Sequence, residues 1–354
     1  MNRRQFIPNT VWVWGDDGWM IPLHREADPE GWARLCDSDE AVITQVDEGA
    51  RDMGAQPTSS SSAPSVMREM IGALGVEPGM RILEIGTGTG YNAAMLAEIS
   101  GSENVTTVEV DAEIADHARC ALKDAGFSVT VINGDGIAGY PGNAPYDRII
   151  VTASVRDVPY TWVAQSAVHG RILMPWGSDL FPGGVLLTLT ARADGTADGR
   201  FASTVAFMRL REQRPRHVPW RDDVDKGDYL QSTARAFPRE VFKAGSAARF
   251  AVGTRLPGVT DGRTLNQDGG HTFRLSQFET GSWAAVTPGP GEHLVCQHGP
   301  RRLWDELELA YDWWLGSGRP GPSRFGLTVT PEGQRVWLDS PDGPAGVRGR
   351  GGGR

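Results

Sequence analysis

The chain is expected to fold as an α/β protein: a Rossmann-like sheet with helices on both faces, followed by a smaller C-terminal α+β domain. Three observations predict this. Short β-branched runs alternate with helical patterns between Arg81 and Gly177. The first of these runs leads directly into a glycine-rich loop, "EIGTGTGY". Beyond about Arg221 the alternation stops, yet apolar patterning continues.

The elements follow in order. Residues 1–55 form a Trp-rich, acidic extension in which "VWVWGDDGWMIPL" reads as two strands around an Asp-Asp-Gly turn. "QPTSSSSAPSV", Gln56 to Val66, is ambiguous between a flexible spacer and part of a site. "PSVMREMIGAL" puts Val66, Met67, Met70, Ile71 and Leu74 at helical spacing, with Pro64 in the tolerant first turn. Arg81–Ile85 is a strand, and an apolar helix runs from the glycine loop to about Ile99. Residues 104–110 form a second strand, and "AEIADHARCALKDAG" a helix stopped by Gly126. "SVTVINGDG", "YDRIIVTASV" and "VHGRILMPWG" continue the sheet, and "GGVLLTLTAR" with "FASTVAFMRL" closes it as a hairpin. These strand cores are nearly continuous in apolar residues, as a doubly covered parallel sheet requires. Residues 221–345 hold an amphipathic helix, with Leu303, Trp304, Leu307, Ala310, Tyr311 and Trp314 on one face. The hairpin "RFGLTVTPEGQRVWLD" follows it, and "GVRGRGGGR" makes residues 346–354 read as a disordered tail.

Composition narrows the function. The 354 residues carry a net charge of −9 without a basic cluster outside that tail, which argues against nucleic-acid binding. There is no apolar run of membrane-spanning length and no signal-peptide core, so a cytoplasmic setting without membrane partners is expected. Cys36, Cys120 and Cys296 lack paired spacing, and the histidines, His217 and the Cys296-x-His298 pair included, lack ligand spacing; no metal is expected.

The glycine loop carries Gly86, Gly88 and Gly90, which let a ligand approach the backbone at a helix start. A dinucleotide site would want a small residue where Tyr91 stands. It would also be repelled by Glu84, whereas a cationic ligand would be attracted. Glu109, followed by Val110, ends the second strand at a spacing suited to ribose hydroxyls. Asp135, between Gly134 and Gly136, ends the third and can reach an adenine amino group. Each acid alone could merely cap a turn. Together, at three successive strand ends, they point to S-adenosyl-L-methionine, with S-adenosyl-L-homocysteine as product. Thr87 and Thr89 are read as donor contacts or helix caps, and Tyr91 as a donor cover or a packing residue.

The run from Ser62 to about Gly177 resembles the protein-L-isoaspartate O-methyltransferases. The stretches that carry the resemblance are "SAPSV", "EIGTGTGYNAA", "VEVD", "GDGIAGYPGNAPYDRIIVTAS" and "GRILMPWG". It implies the class I methyltransferase form of the sheet over residues 56–220, and a carboxylate acceptor. It also implies that Ser62 contacts that carboxylate and that Val151, Thr152 and Ala153 border the acceptor backbone. The family's His is replaced by Ser65, and its Gln-x-Ile by Ser59-Ser60-Ser61; Ser60, Ser61 and Ser65 are therefore placed at the acceptor. The terminal segments resemble a longer, actinobacterial branch whose members modify lanthipeptides, lasso peptides and graspetides. The expected function is methyl esterification of an aspartyl carboxylate in a constrained peptide, leading to an aspartimide and, on opening, to isoaspartate. The alternative is repair of isoaspartyl residues in damaged proteins, and a third reading is a non-catalytic binding module. Residues 221–345 would recognise the peptide, and the enzyme would act as a monomer.

Overall fold

The computed structural model describes residues 1–216, 229–234, 236–342 and the backbone of 348–350. The first sheet is N-terminal. β1 (Thr10–Trp14) and β2 (Met20–His24) form the expected hairpin. After α1 (Pro29–Asp37), which Asp28 caps through the Gly31 N–H, come β3 (Val42–Val46) and β4 (Pro57–Ser61). The sheet order is β2-β1-β3-β4. The serine run is thus a strand rather than a spacer: Ser59, Ser60 and Ser61 pair with Gln45, Ile43 and Val42. Serine has little strand preference of its own, so the partner β3 imposes the extended form.

The central sheet begins after α2 (Pro64–Leu74). β5 (Ile82–Ile85), β6 (Val105–Glu109), β7 (Thr130–Asn133), β8 (Tyr146–Val151) and β9 (Ser166–Trp176) are parallel, in the order β7-β6-β5-β8-β9. α3 (Tyr91–Ser100) and α4 (Ala112–Asp124) link the first three strands, and the short α5 (Tyr160–Ala164) precedes β9. Every residue of β5 and β6 is buried, the polar Glu84, Thr106, Thr107 and Glu109 included, as in a sheet covered on both faces. Strand order reverses between β5 and β8, which opens a crevice at the carboxyl ends of both.

The sheet does not stop at the expected hairpin of β10 (Val185–Ala191) and β11 (Ala197–Thr204). β17 (Phe325–Thr330), β18 (Gly333–Leu338) and β19 (Arg348–Arg350) continue it antiparallel from β11, for ten strands in all. The expected boundaries at 55/56 and 220/221 therefore cut across sheets. Pairing with β17 satisfies the backbone edge that β11 would otherwise leave open. Part of the supposed tail, Arg348–Arg350, is likewise a paired strand; residues 346, 347 and 351–354 lie outside the described residues.

Between these strands sits a five-stranded antiparallel sheet, ordered β12-β16-β15-β14-β13: β12 (Leu230–Ala234), β13 (Val259–Leu265), β14 (His271–Gln277), β15 (Ser282–Thr287) and β16 (His293–His298). α7 (Leu303–Gly316) buries Leu303, Trp304, Leu307, Ala310 and Trp314, the face its spacing predicts. α6 (Ala247–Gly253) joins this layer to the central sheet, where Phe250 meets Trp176, Phe181, Phe201 and Phe325 at ring distances of 5.2–6.1 Å. One apolar core runs continuously from Leu83 on β5 to Val336 on β18.

Candidate active site

A cavity of about 760 Å³ opens at the carboxyl ends of β5, β6 and β7. Its floor is the glycine loop, one wall is the serine strand β4, and the opposite wall is the segment 203–212 with Arg214.

The three acids stand at the three strand ends. Glu84 is fully buried; its Oε1 accepts from Asn92 Nδ2 at 2.6 Å and its Oε2 from Thr107 Oγ1 at 2.6 Å. Burial raises its carboxyl to about 7, against the pull of those two hydrogen bonds. Thr107 is also hydrogen-bonded to Thr87, at 2.7 Å, so Thr87 braces the loop floor. Thr87 and Thr89 both line the cavity, and neither caps α3, whose N-cap is Gly90 without a side-chain bond. Glu109 accepts from the Gly88 N–H at 3.0 Å and the Asp111 N–H at 3.2 Å, and burial raises its carboxyl as well. Asp135 is exposed at the rim and accepts from the Ile137 N–H at 2.9 Å.

The loop fits close passage of a ligand along its backbone. Gly86 has φ +94°, and a Cβ there would lie 2.7 Å from Thr152 Oγ1; that hydroxyl donates to the Gly86 carbonyl at 2.6 Å. Gly88 has φ +52° and packs under the Ser60 carbonyl, which a Cβ would approach to 3.2 Å. Left-handed φ values of this kind favour glycine. Tyr91 lines the cavity and also packs edge-on against Phe6, at 5.7 Å.

β4 sorts its serines by alternation. Ser59 and Ser61 are buried, with Ser59 Oγ accepting from Thr44 at 3.3 Å and Ser61 Oγ from Arg3 Nε at 3.1 Å. All four serines border the cavity, but Ser60 and Ser62 are the half-buried ones, and their hydroxyls have no partner among the described residues. Thr152, Ala153 and Val110 line it too.

Four expected residues do not. Gly90 is the N-cap of α3 and packs toward α4, where a Cβ would meet Leu122 at 3.2 Å and Ala118 at 3.4 Å. Val151 is fully buried in the core between sheet and helices, because a parallel strand interior faces the covering layers. Gly134 precedes the turn and stays outside the lining. Ser65 is exposed on the first turn of α2, where its N–H donates to Asp39 at 2.8 Å; the helix turns it away from the cavity. The C-terminal region contributes nothing either: among the described residues the lining ends at Arg214.

The structure adds residues that no local motif announced. Beyond β11 the chain is held by the Val205 and Phe207 N–H groups, which donate to the Gly184 and Gly183 carbonyls at 3.0 and 3.2 Å. The Ser154 N–H donates to the Met208 carbonyl at 2.7 Å and the Leu210 N–H to the Ser154 carbonyl at 2.9 Å. Arg209 anchors this wall through the Gly177 and Ser178 carbonyls at 2.7 and 2.9 Å. Arg211 and Arg214 both pair with Glu48, and Arg211 lies 3.5 Å from Asp111, so an ion-pair strap crosses from the wall to the β3–β4 connection. Among the described residues no group of three His, Cys, Asp or Glu side chains could hold a metal, and no helix is long and apolar enough to cross a membrane; His217 lies outside the described residues.

Three comparisons bear on this site. A family model described as Protein-L-isoaspartate(D-aspartate) O-methyltransferase (PCMT) matches residues 41–214. The protein-L-isoaspartate O-methyltransferase of Methanothermobacter thermautotrophicus is 43% identical over 151 residues, covering 42% of this chain and 69% of that protein. The protein of the same name from Gloeobacter violaceus is 35% identical over 196 residues, covering 55% of this chain and 88% of that protein. A solved structure named protein-L-isoaspartate O-methyltransferase shares the fold with TM-score 0.54 at 19% identity, over 96% of this chain and 92% of that one.

Proposed function

Because the chain belongs to the protein-L-isoaspartate O-methyltransferase family, we propose that it transfers a methyl group from S-adenosyl-L-methionine to the free carboxylate of an isoaspartyl residue. The observation that carries this reading is one cavity lined by acids at three successive strand ends and by two serine hydroxyls without a partner among the described residues. It lies within the span that the family model matches.

S-adenosyl-L-methionine supplies an electrophilic methyl group on a sulfonium. The chain's residues bind and orient. Glu109 takes the ribose hydroxyls, Asp135 the adenine edge, and buried Glu84 offers negative charge to the cationic end. The order of the acids along β7, β6 and β5 sets this direction, from base to sulfonium. The closely approachable backbone at Gly86 and Gly88 leaves room for the ligand. The Ser62 hydroxyl donates to the acceptor carboxylate, with Ser60 beside it.

No general base is needed. A carboxylate with an ordinary pKa near 4 is ionised at neutral pH. Its oxygen attacks the methyl carbon, the carbon–sulfur bond breaks, and the electron pair stays on sulfur. The products are the methyl ester and S-adenosyl-L-homocysteine. What the site contributes is alignment and exclusion of water.

The expectation of a constrained ribosomal peptide as acceptor draws no support from the relatives, whose names specify isoaspartate. Two of its arguments weaken as well. Ser65 stands outside the cavity. The additional length is shared in fold by a solved structure of the isoaspartate type. The departures at Ser59-Ser60-Ser61 keep it as a second reading. Incubation with labelled S-adenosyl-L-methionine and a short peptide, in isoaspartyl, aspartyl and cyclised aspartyl forms, tests both. Methyl transfer to the isoaspartyl form alone is the expected result. Transfer only to a cyclised aspartyl peptide overturns it in favour of the second reading, and absence of S-adenosyl-L-homocysteine with every acceptor favours a binding module.

A further inference from the structure

Arg3 is an unusual use of a charged residue. It is 5% exposed, and it forms no ion pair among the described residues. Burial lowers its pKa, as expected for a cation taken from water. A cation so enclosed carries a desolvation cost of several kcal/mol unless hydrogen bonds offset it. Its compensation is a set of oxygens from three places. Nη1 donates to the Ser38 carbonyl at 3.1 Å and the Cys36 carbonyl at 3.5 Å, at the end of α1. Nη2 donates to the carbonyls of Glu40, Ser61 and Ser62 at 2.9, 2.7 and 2.9 Å. Nε donates to Ser61 Oγ at 3.1 Å.

The two serine carbonyls matter most. The carbonyl of Ser61 belongs to the peptide plane before the Ser62 Cα, and that of Ser62 to the plane after it. Holding both planes from one nitrogen restricts the two soft backbone torsions of Ser62 and so the direction of its Cβ. Arg3 is itself anchored from the donor side. Phe6 packs on Tyr91 at 5.7 Å, and His117 Nε2 lies 3.0 Å from the Phe6 carbonyl. The short segment 3–6 thus ties the serine strand to the helices that begin beside the donor site.

We infer that Arg3 is a positioning residue for methyl transfer: its guanidinium sets the Ser61–Ser62 backbone so that the Ser62 hydroxyl faces the acceptor carboxylate. The inference rests on the reading of Ser62 given above. Arg3 lies outside the residues that the family model matches. Lysine cannot reproduce the role, because one ammonium cannot fork between the α1 end and both serine carbonyls.

A double-mutant cycle tests it, using the acceptor peptide that the wild-type protein methylates. Arg3→Met, Arg3→Lys, Ser62→Ala and Arg3→Met/Ser62→Ala are compared by kcat, KM and calorimetric affinity for S-adenosyl-L-homocysteine. Arg3→Met is expected to lower kcat by up to about tenfold, no more than loss of the Ser62 hydroxyl itself, with donor affinity within about twofold of wild type, and Arg3→Lys to recover only part of kcat. In the Ser62→Ala background the same Arg3 change should cost less than about threefold, since the hydroxyl it directs is gone. Effects that multiply in the double variant, or a loss of donor affinity matching the loss of kcat, would overturn the inference and leave the reading of Ser62 standing. A fully active Ser62→Ala protein would remove that reading and the inference with it. If Arg3→Met does not fold, Arg3→Lys carries the same cycle, and full kcat in Arg3→Lys overturns the inference.

Discussion

The half of the cavity proposed for the donor and the half proposed for the acceptor are built in opposite ways. The donor half is mostly local: Glu84, Gly86, Gly88, Glu109 and Asp135 come from one βαβαβ run, and the hydrogen bonds of Glu84 and Glu109 stay within that run, while Thr152 reaches in to the Gly86 carbonyl. The acceptor half is assembled from afar. Its serine strand is paired to β3, pinned by Arg3 and faced by a wall that follows β11. A ligand that never changes can be met by a fixed local cradle. An acceptor embedded in varied chains is met by a surface whose parts can change separately. The halves touch where the Ser60 carbonyl lies over Gly88.

The comparison predicts separable effects. The largest belongs to Glu109→Ala, which should weaken S-adenosyl-L-homocysteine by roughly 1.5–3 kcal/mol, the usual loss for hydrogen bonds to a charged group, or about ten- to a hundredfold in Kd. Calorimetry checks this, and unchanged affinity would take Glu109 away from the ribose. Ser62→Ala should do the reverse: turnover falls about tenfold while donor affinity holds. If both parameters moved together in either variant, the two-halves description would be wrong.

A pH series sharpens the donor side. Burial, with the neighbouring Glu109 carboxylate adding to it, holds the Glu84 carboxyl near 7 rather than its usual 4.5. The folded state therefore keeps a proton that the unfolded chain releases. Stability from this group is complete below about pH 4.5 and declines as pH rises toward about 7. A cation bound beside Glu84 favours the ionised form, so binding should expel a proton. Affinity for S-adenosyl-L-methionine, measured without acceptor, should rise about five- to tenfold between about pH 6 and pH 8, and Glu84→Gln should flatten the curve. A wild-type curve already flat would show that the cationic end lies elsewhere.

The smallest effect tests the contact between halves. Gly88→Ala places a side chain at a left-handed φ and against the Ser60 carbonyl. About 1–2 kcal/mol of stability should be lost, read as a lowered Tm, together with modest losses in both donor affinity and turnover.

What the sequence made legible follows the same division. The glycine loop, the three acids and the helix Pro64–Leu74 could be read because strand period, loop chemistry and spacing are local properties. The serine run could not be read as a strand, since its partner Val42–Val46 imposes that state. Arg3, 58 residues from Ser61, leaves no periodic trace of its role. Ser65 was placed at the acceptor by correspondence with a family motif, whereas the first turn of α2 points it to Asp39. The C-terminal hairpin was recognised as a hairpin, but nothing in its alternation says that it extends the central sheet beside β11.

The most direct test of the whole account is a crystal structure with S-adenosyl-L-homocysteine and an isoaspartyl peptide bound together. Ribose hydroxyls on Glu109, the adenine edge at Asp135, and the peptide's free carboxylate on the Ser62 hydroxyl, facing the sulfur, are the expected result. A nucleoside away from Glu109, or a carboxylate held by the wall beyond β11 with Ser62 turned aside, would contradict it.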